Sequence, residues 1–385
     1  MHRSARVLVV AVAIAFLAAS CGSSASSSSD KPAGNASSSD VAEAKKALAA
    51  FRKQPTAADI PLTVALSAKP PKKNVAVLKC EITNCENVAK GLADASKALG
   101  WPVEYFNALT TDPAAGWDQA LASNPDYVVM FNGLPTSAYS EQLAQAKADK
   151  VPVFACYGPD APTGAAGNGI YSQCGDAANV DRTASIYGNS IIADSGGKAK
   201  VLHVYLSEAG SYGKLNDSLK KFFSTKCSGC DYSGLVVSFA DIRANKQGDA
   251  VVSYLQAHPD VTHIIISFGT AWSGTVDALR TAGLLDSVKL LSNSQPGVPG
   301  PFQDLASGDV KGAVIAAPSS QYVSWTEMDA AARLAVGADM AEERKGAIQP
   351  SYLVDTQAAA KAWVAKPWEG PAGYQDYFRK LWKVG

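Results

Sequence analysis

The residues of this chain best able to do chemistry are its seven cysteines and four histidines. Six cysteines follow Cys21: Cys80, Cys85, Cys156, Cys174, Cys227 and Cys230. Cys227-Ser228-Gly229-Cys230 has the spacing of a redox-active pair. A dithiol-exchange role needs a helix N-terminus to lower the thiol pKa. This pair instead falls between an amphipathic stretch over 215–225 and a strand-like stretch over 232–238, so it reads as a staple across a turn. An even number of cysteines in an exported chain points to disulfides, with many connectivities open. Among them, Cys80 with Cys85 would close a small loop and Cys156 with Cys174 would join two neighbouring strands. His258 and His263 are five apart around a Pro-Asp turn, which suits neither one helix face nor a zinc-ligand spacing. His203 sits inside an apolar strand, as a core histidine would. The chain has no G-x-S-x-G elbow, no H-E-x-x-H, no G-x-x-x-x-G-K and no G-x-G-x-x-G after a strand. Nothing here asks for catalysis, a metal or a cofactor, and an enzyme is not expected.

The frame that positions these residues is regular from Asn74 onward. Val75-Ala76-Val77-Leu78 is a short, wholly apolar run, the mark of a strand buried on both faces. Helical spacing follows over 87–99 and ends at Gly100, then strand-like runs at 103–106, 127–131, 151–156 and 169–174 alternate with helices over 116–123 and 139–150. The alternation restarts with a helix over 183–194. Strands at 200–206, 234–239, 262–267 and 288–292 then alternate with helices over 214–225, 249–257 and 273–282. Segments 301–307 and 312–317 and a long helix over 324–338 complete the series. Repeated strand–helix units predict parallel sheets with helices on both faces. Two successive series predict two similar α/β lobes, and ligands in such folds sit beyond the carboxyl ends of the strands. Between two lobes that place is a cleft.

The ends of the chain add a compartment. Arg3 and Arg6 precede an apolar run from Val7 to Ala19, and Leu17-Ala18-Ala19-Ser20-Cys21 ends it. That is a secretory signal over 1–20 whose removal leaves a cysteine at the mature N-terminus. The motif resembles the lipobox of bacterial lipoproteins, which implies acylation of Cys21 and an anchor on the outer face of the cytoplasmic membrane. Residues 21–40 are rich in Ser, Gly, Asn and Ala and read as a flexible tether. Residues 41–73 read as a short helix capped by Asp40 and a lead-in broken by Pro55, Pro61, Pro70 and Pro71. Lys plus Arg balances Asp plus Glu, 35 to 35, and there is no basic stripe, so nucleic acid is excluded as a partner. A monomer is expected.

The landmarks of the frame carry a resemblance. Asn124-Pro125-Asp126-Tyr127-Val128-Val129, Lys150-Val151-Pro152-Val153-Phe154, His258-Pro259-Asp260-Val261-Thr262-His263-Ile264-Ile265, Ala278-Leu279-Arg280-Thr281-Ala282-Gly283 and Ser307-Gly308-Asp309-Val310 occur in the order and spacing of one family. Over about 74–338 the chain resembles type I periplasmic solute-binding proteins, the ribose-binding group of ATP-driven importers. The resemblance implies two lobes that close on a small molecule like a hinge, and a permease of an ABC transporter as partner. It implies crossings between lobes near Gly175, at 292–295 and at 317–319. The N-terminal lobe would then hold 74–175 plus 295–317, and the C-terminal lobe 176–294 plus 318–345. Residues 346–385, with Trp363, Trp368, Tyr374, Tyr377, Phe378 and Trp382, would be an extension packed on the lobes.

At the implied cleft positions this sequence departs from the polar clamp of sugar-binding members. Tyr157 and Gly158 stand where an Asp-Arg pair is usual, Asn216 where an arginine is, Phe268 and Gly269 where an Asn-Asp pair is, and Asn293 with Ser294 where an aspartate is. These changes remove charge and add rings, so the expectation is a mostly apolar pocket for an aromatic or steroid-like solute. Polar anchors would come from Glu81, Thr83, Asn84, Asp176, Gln295 or Gln321, and Trp272 joins Phe268 as a candidate aromatic contact. The alternatives are a sugar, or a sensor role that presents a loaded shape to a membrane receptor.

Overall fold

The computed structural model describes residues 38–385 apart from 81–82, 110, 132, 175–176, 207, 209, 296–297, 299, 317–318 and 342–347. The signal segment, Cys21 and most of the tether lie outside the described residues. No described helix is long and apolar enough to cross a membrane.

The chain begins with Ser38–Ala49 (α1), so Asp40 lies inside the first turn rather than capping it. The apolar runs then become strands. Val75–Lys79 (β1), Val103–Asn107 (β2), Tyr127–Phe131 (β3), Val153–Cys156 (β4) and Ile170–Cys174 (β5) form one all-parallel sheet in the order β2-β1-β3-β4-β5. Its two faces alternate residue by residue, as a strand requires. Val75, Val77, Tyr127, Val129 and Phe154 pack with Thr83–Leu99 (α2). Ala76, Leu78, Val128, Met130 and Ala155 pack with Pro113–Ala122 (α3) and Ser140–Ala148 (α4).

Ala177–Ser195 (α5) opens the second lobe. Its sheet holds Lys200–Leu206 (β6), Asp231–Val237 (β7), His263–Ile266 (β8), Lys289–Ser294 (β9), Gly312–Ala316 (β10) and Tyr352–Val354 (β11) in the order β11-β10-β9-β8-β6-β7. All pairs are parallel except β10 with β11. One face packs on α5, Gly210–Lys226 (α6) and α1. The other packs on Phe239–Arg243 (α7), Gln247–Ala257 (α8) and Trp272–Thr281 (α9). Pro301–Ser307 (α10) lies beside β10. The molecule is thus two α/β lobes, each a parallel sheet with helices on both faces.

Ser320–Ala335 (α11) is capped by Ser319, whose hydroxyl accepts from the backbone N–H groups of Gln321 and Tyr322. It returns to the first lobe and is buried on nearly every side against α2, β4 and β5. The approach to α2 is close: a Cβ on Gly91 would stand 2.6 Å from Gln321 Cα. Gln357–Ala365 (α12) packs on α10, and Tyr374–Trp382 (α13) ends the chain on the first lobe.

This corrects the expected division. Residues 295–317 do not belong to the N-terminal lobe, because β10 pairs with β9 in the second sheet. Residues 320–335 do not belong to the C-terminal lobe, because they fill the core above β4 and β5. There is no crossing at 292–295; α10 is an ordinary crossover between the neighbouring parallel strands β9 and β10. Between β1 and β11 the chain changes lobe after β5, after β10, and between α11 and β11.

Candidate ligand cleft

Parallel strands bring their carboxyl ends to one edge of each sheet, and that edge is where the candidate residues converge. At the end of β4, Tyr157 has a φ of 65°, a left-handed conformation uncommon in a bulky residue. Its N–H donates to Cys174 O at 2.9 Å. A disulfide joins Cys156 to Cys174, which are register partners on β4 and β5. Beneath it lies Glu327 of α11, whose Oε1 accepts from Cys174 N at 3.1 Å and whose Oε2 accepts from Ser172 Oγ. Burial pushes this carboxyl up to about 8, so it is protonated at neutral pH. Cys156, Cys174 and Glu327 would be a metal-ligating set if the thiols were free, but their sulfurs are bonded to each other.

The second lobe faces this edge closely. A Cβ on Gly210, at the start of α6, would stand 2.6 Å from the Pro159 side chain, and Lys214 Nζ donates to Pro159 O. At the hinge, Ser320 Oγ donates to Gln295 Oε1 just past β9. Tyr212 and Phe268 stand with ring centroids 5.6 Å apart. Burial pushes the Tyr212 hydroxyl up to about 12 and the Tyr157 hydroxyl higher still. Gln295 lies beside Tyr157 and tempers that rise, though the pair falls short of full hydrogen-bond geometry.

Four polar atoms at these strand ends are buried with no hydrogen-bond partner: Tyr157 OH and Gln173 Oε1 from the first lobe, Asn293 Oδ1 and Ser294 Oγ from the second. Most buried polar groups in native proteins are paired. The remaining capacity of Gln173 is spent on the backbone, its Nε2 donating to Gly158 O.

The residues singled out in the sequence separate accordingly. Asn293 is at the carboxyl end of β9, and Tyr157, Phe268 and Gln295 lie just past the carboxyl ends of β4, β8 and β9. Thr83 and Asn84 open α2 after β1, with their side chains outside the described residues, as are Glu81 and Asp176. Trp272 is core rather than cleft: it is buried among the α8 and α9 side chains, and its Nε1 donates to Asp304 Oδ2 at 2.7 Å. Asn216 is likewise committed inside its lobe, where its Oδ1 accepts from Tyr232 OH at 2.9 Å. Tyr232 OH also lies 2.8 Å from His203 Nδ1, and His203 Nε2 is hydrogen-bonded to Ser267 Oγ. Burial pushes His203 down to about 3, the state of a neutral core histidine.

The cysteines pair as Cys80–Cys85, Cys156–Cys174 and Cys227–Cys230. Cys227 and Cys230 close the turn between α6 and β7, as the staple reading expected. Sequence reasoning placed Ser294 at the cleft with Asn293 but missed Tyr212, Gln173 and Glu327. Tyr212 was within reach, since it precedes Asn216 by one helical turn on the same face of α6.

Comparison with known proteins places this geometry. Residues 79–339 match the model of a family described as the periplasmic binding protein domain. The glucose-galactose binding protein GanP of Geobacillus stearothermophilus is 17% identical and superposes with a TM-score of 0.59, covering 70% of this chain and 93% of that one. AraP, an arabinose binding protein of the same bacterium, is 16% identical with a TM-score of 0.58, over 76% of this chain and 99% of its own. An ABC transporter solute binding protein from Agrobacterium vitis, with bound allitol, is 14% identical with a TM-score of 0.60, over 76% and 99%. At such identities the likeness shows the fold alone. No curated protein sequence matches the chain.

Proposed function

The chain belongs to the periplasmic binding protein family, and on that premise we propose that it captures a small neutral solute between its lobes and passes it to an ABC transporter permease. The observation that carries this reading is the set of unpaired buried atoms at Tyr157, Gln173, Asn293 and Ser294, two from each lobe. An unsatisfied buried polar group costs about 1–3 kcal/mol, and a ligand that pairs with it offsets that cost only where both lobes meet. Closure is then favoured by contacts that the open form lacks.

The same atoms bear on the class of solute. Asn293 Oδ1 and Gln173 Oε1 accept hydrogen bonds, while Tyr157 OH and Ser294 Oγ donate or accept. A ligand rich in hydroxyls suits that mixture, and a polyol of sugar size is the reading we favour. It agrees with the ligands named for the structural neighbours, glucose or galactose, arabinose and allitol. The rings of Tyr157, Tyr212 and Phe268 favour a second reading, a hydroxylated aromatic or steroid-like solute. Acylation at Cys21 would hold the protein on the outer face of the membrane beside its permease.

A thermal-shift screen of the mature chain tests both readings, because a ligand that binds only the folded state stabilises by RT ln(1 + [L]/Kd). Arabinose, galactose, allose and allitol form one arm, hydroxylated aromatic acids and steroids the other. A shift in the sugar arm supports the first reading, and a shift only in the other arm supports the second. No shift in either arm would sink the assignment of the solute class. The anchor is checked separately by mass spectrometry of the mature N-terminus and by release from membranes on Cys21→Ser.

A further inference from the structure

The two termini of the described chain tie the lobes together outside the hinge. α1 rests on the second lobe, with Ala44 and Leu48 buried among side chains of α5, α6 and β11. Arg52 then pairs with Asp355, just past β11, at 2.6 Å. By Ile60 the same arm is in the core of the first lobe, where Leu62 and Leu66 follow it. The C-terminal arm makes the same passage. Trp363 stacks on Phe302 of the second lobe at 4.2 Å, and Trp368 packs in the same cluster. Tyr374, Phe378 and Trp382 belong to the core of the first lobe.

The two arms pair with each other where they cross. Thr56 and Ala372 form a parallel bridge, and Ala57 N donates to Ala372 O at 3.1 Å. The pairing continues on the first lobe, with Tyr377 OH donating to Leu62 O at 2.5 Å, Leu66 N to Leu381 O at 2.8 Å and Lys383 Nζ to Ser67 O at 2.7 Å. Beside the crossing, a Cβ on Gly370 would stand 2.9 Å from Tyr322 Cβ, near the start of α11 where the chain has just changed lobe. The crossing therefore lies against the hinge.

We propose that the paired arms form a strap that limits how far the lobes open, so that ligand exchange occurs by a smaller excursion than the hinge alone would allow. The reason is length. Both ends of each arm are buried in different lobes, and the passage from Trp368 to Tyr374 can span no more than ~20 Å even fully extended. The proposal rests on the two-lobe closing motion of the preceding section but not on the identity of the solute.

The test uses the full mature chain without ligand. Spin labels on Lys97→Cys and Lys220→Cys, exposed on α2 and α6, report the distance between lobes by pulsed electron resonance. Protease sites inserted between Lys53 and Gln54 and between Trp368 and Glu369 are cut after folding. The strap predicts that cutting both shifts the distances upward and broadens them, while circular dichroism of the cut protein stays unchanged. The uncut variant Ala57→Pro, which removes the donor to Ala372 O, should shift them the same way by less. Distances unchanged by both manipulations would overturn the strap and would leave the solute-binding reading untouched.

Discussion

Behind the hinge, α11 buries a carboxylate and a guanidinium, while at the strand ends the cleft buries a phenol, two amides and a hydroxyl. In the first place both charged groups are answered, although Tyr322 OH and Trp325 Nε1 on the same helix have no partner. Arg333 Nε donates to Asp329 Oδ2 at 2.6 Å, Trp382 Nε1 donates to Asp329 Oδ1 at 2.7 Å, and an Arg333 N–H reaches Val64 O at 2.9 Å. In the second place Tyr157 OH, Gln173 Oε1, Asn293 Oδ1 and Ser294 Oγ are left without partners. The contrast separates polar burial that fixes structure from polar burial that awaits a guest. It predicts that substitutions in the first region cost stability and spare binding, and that substitutions in the second do the reverse.

The largest effect belongs to Asp329. Asp329→Ala leaves Arg333 Nε and Trp382 Nε1 buried with no acceptor and the guanidinium charge without its carboxylate, and breaking a buried pair in this way costs about 3–5 kcal/mol. Urea denaturation measures it. A loss under about 1 kcal/mol would mean that the network is not what holds α11, the N-terminal arm and α13 together.

Glu327 stands between the two regions, partnered by Ser172 and Cys174 N yet protonated. Its folded pKa of about 8 lies above its unfolded value, so its stabilising contribution is full in acid and is lost as pH rises through 8. This group alone therefore lowers stability as pH rises between about 4.5 and 8, and the loss should show in wild type between about pH 6.5 and 8, where His203 no longer changes charge. Glu327→Gln keeps a neutral amide there and should flatten that slope, read from denaturation midpoints across the window. His203 bends the curve the other way. Its folded pKa of about 3 lies below the ordinary value, so its contribution is full above about 6.5 and is lost as pH falls toward 3. A wild-type profile that rises from pH 6.5 to 8 would contradict the Glu327 assignment.

Which of these groups the sequence discloses follows from the range of their contacts. The strands at 127–131 and 200–206 are legible because a parallel strand covered on both faces must be apolar throughout. Cys227 and Cys230 are legible because their partner is three residues away. α11 is not: it is buried nearly all round, so no stripe says which lobe it faces. That silence is what allowed its lobe, and that of β10, to be exchanged in the sequence-based division. Glu327, Asp329 and Arg333 resemble the charges of an exposed helix until Ser172, Trp382 and Val64 are brought to them from far along the chain. Trp272 looked like a cleft ring because it follows a strand end, and only Asp304 settles it in the core.

The smallest change in stability is expected where the contrast is sharpest. Tyr157→Phe and Ser294→Ala each delete a buried hydroxyl that lacks a well-formed hydrogen bond, Tyr157 having only its loose contact with Gln295, so little bonding is lost and a desolvation cost is removed. Such variants should unfold within about 0.5–1 kcal/mol of wild type, or later than it. Binding should move in the opposite sense. Each hydroxyl that meets the ligand in the closed form contributes about 0.5–1.5 kcal/mol, a loss of about 2- to 10-fold in affinity by calorimetry with whichever solute the screen identifies. If instead either variant lost several kcal/mol of stability with its affinity unchanged, the unpaired atoms would belong to the same structural class as Asp329. The cleft would then have to be sought elsewhere along the strand ends.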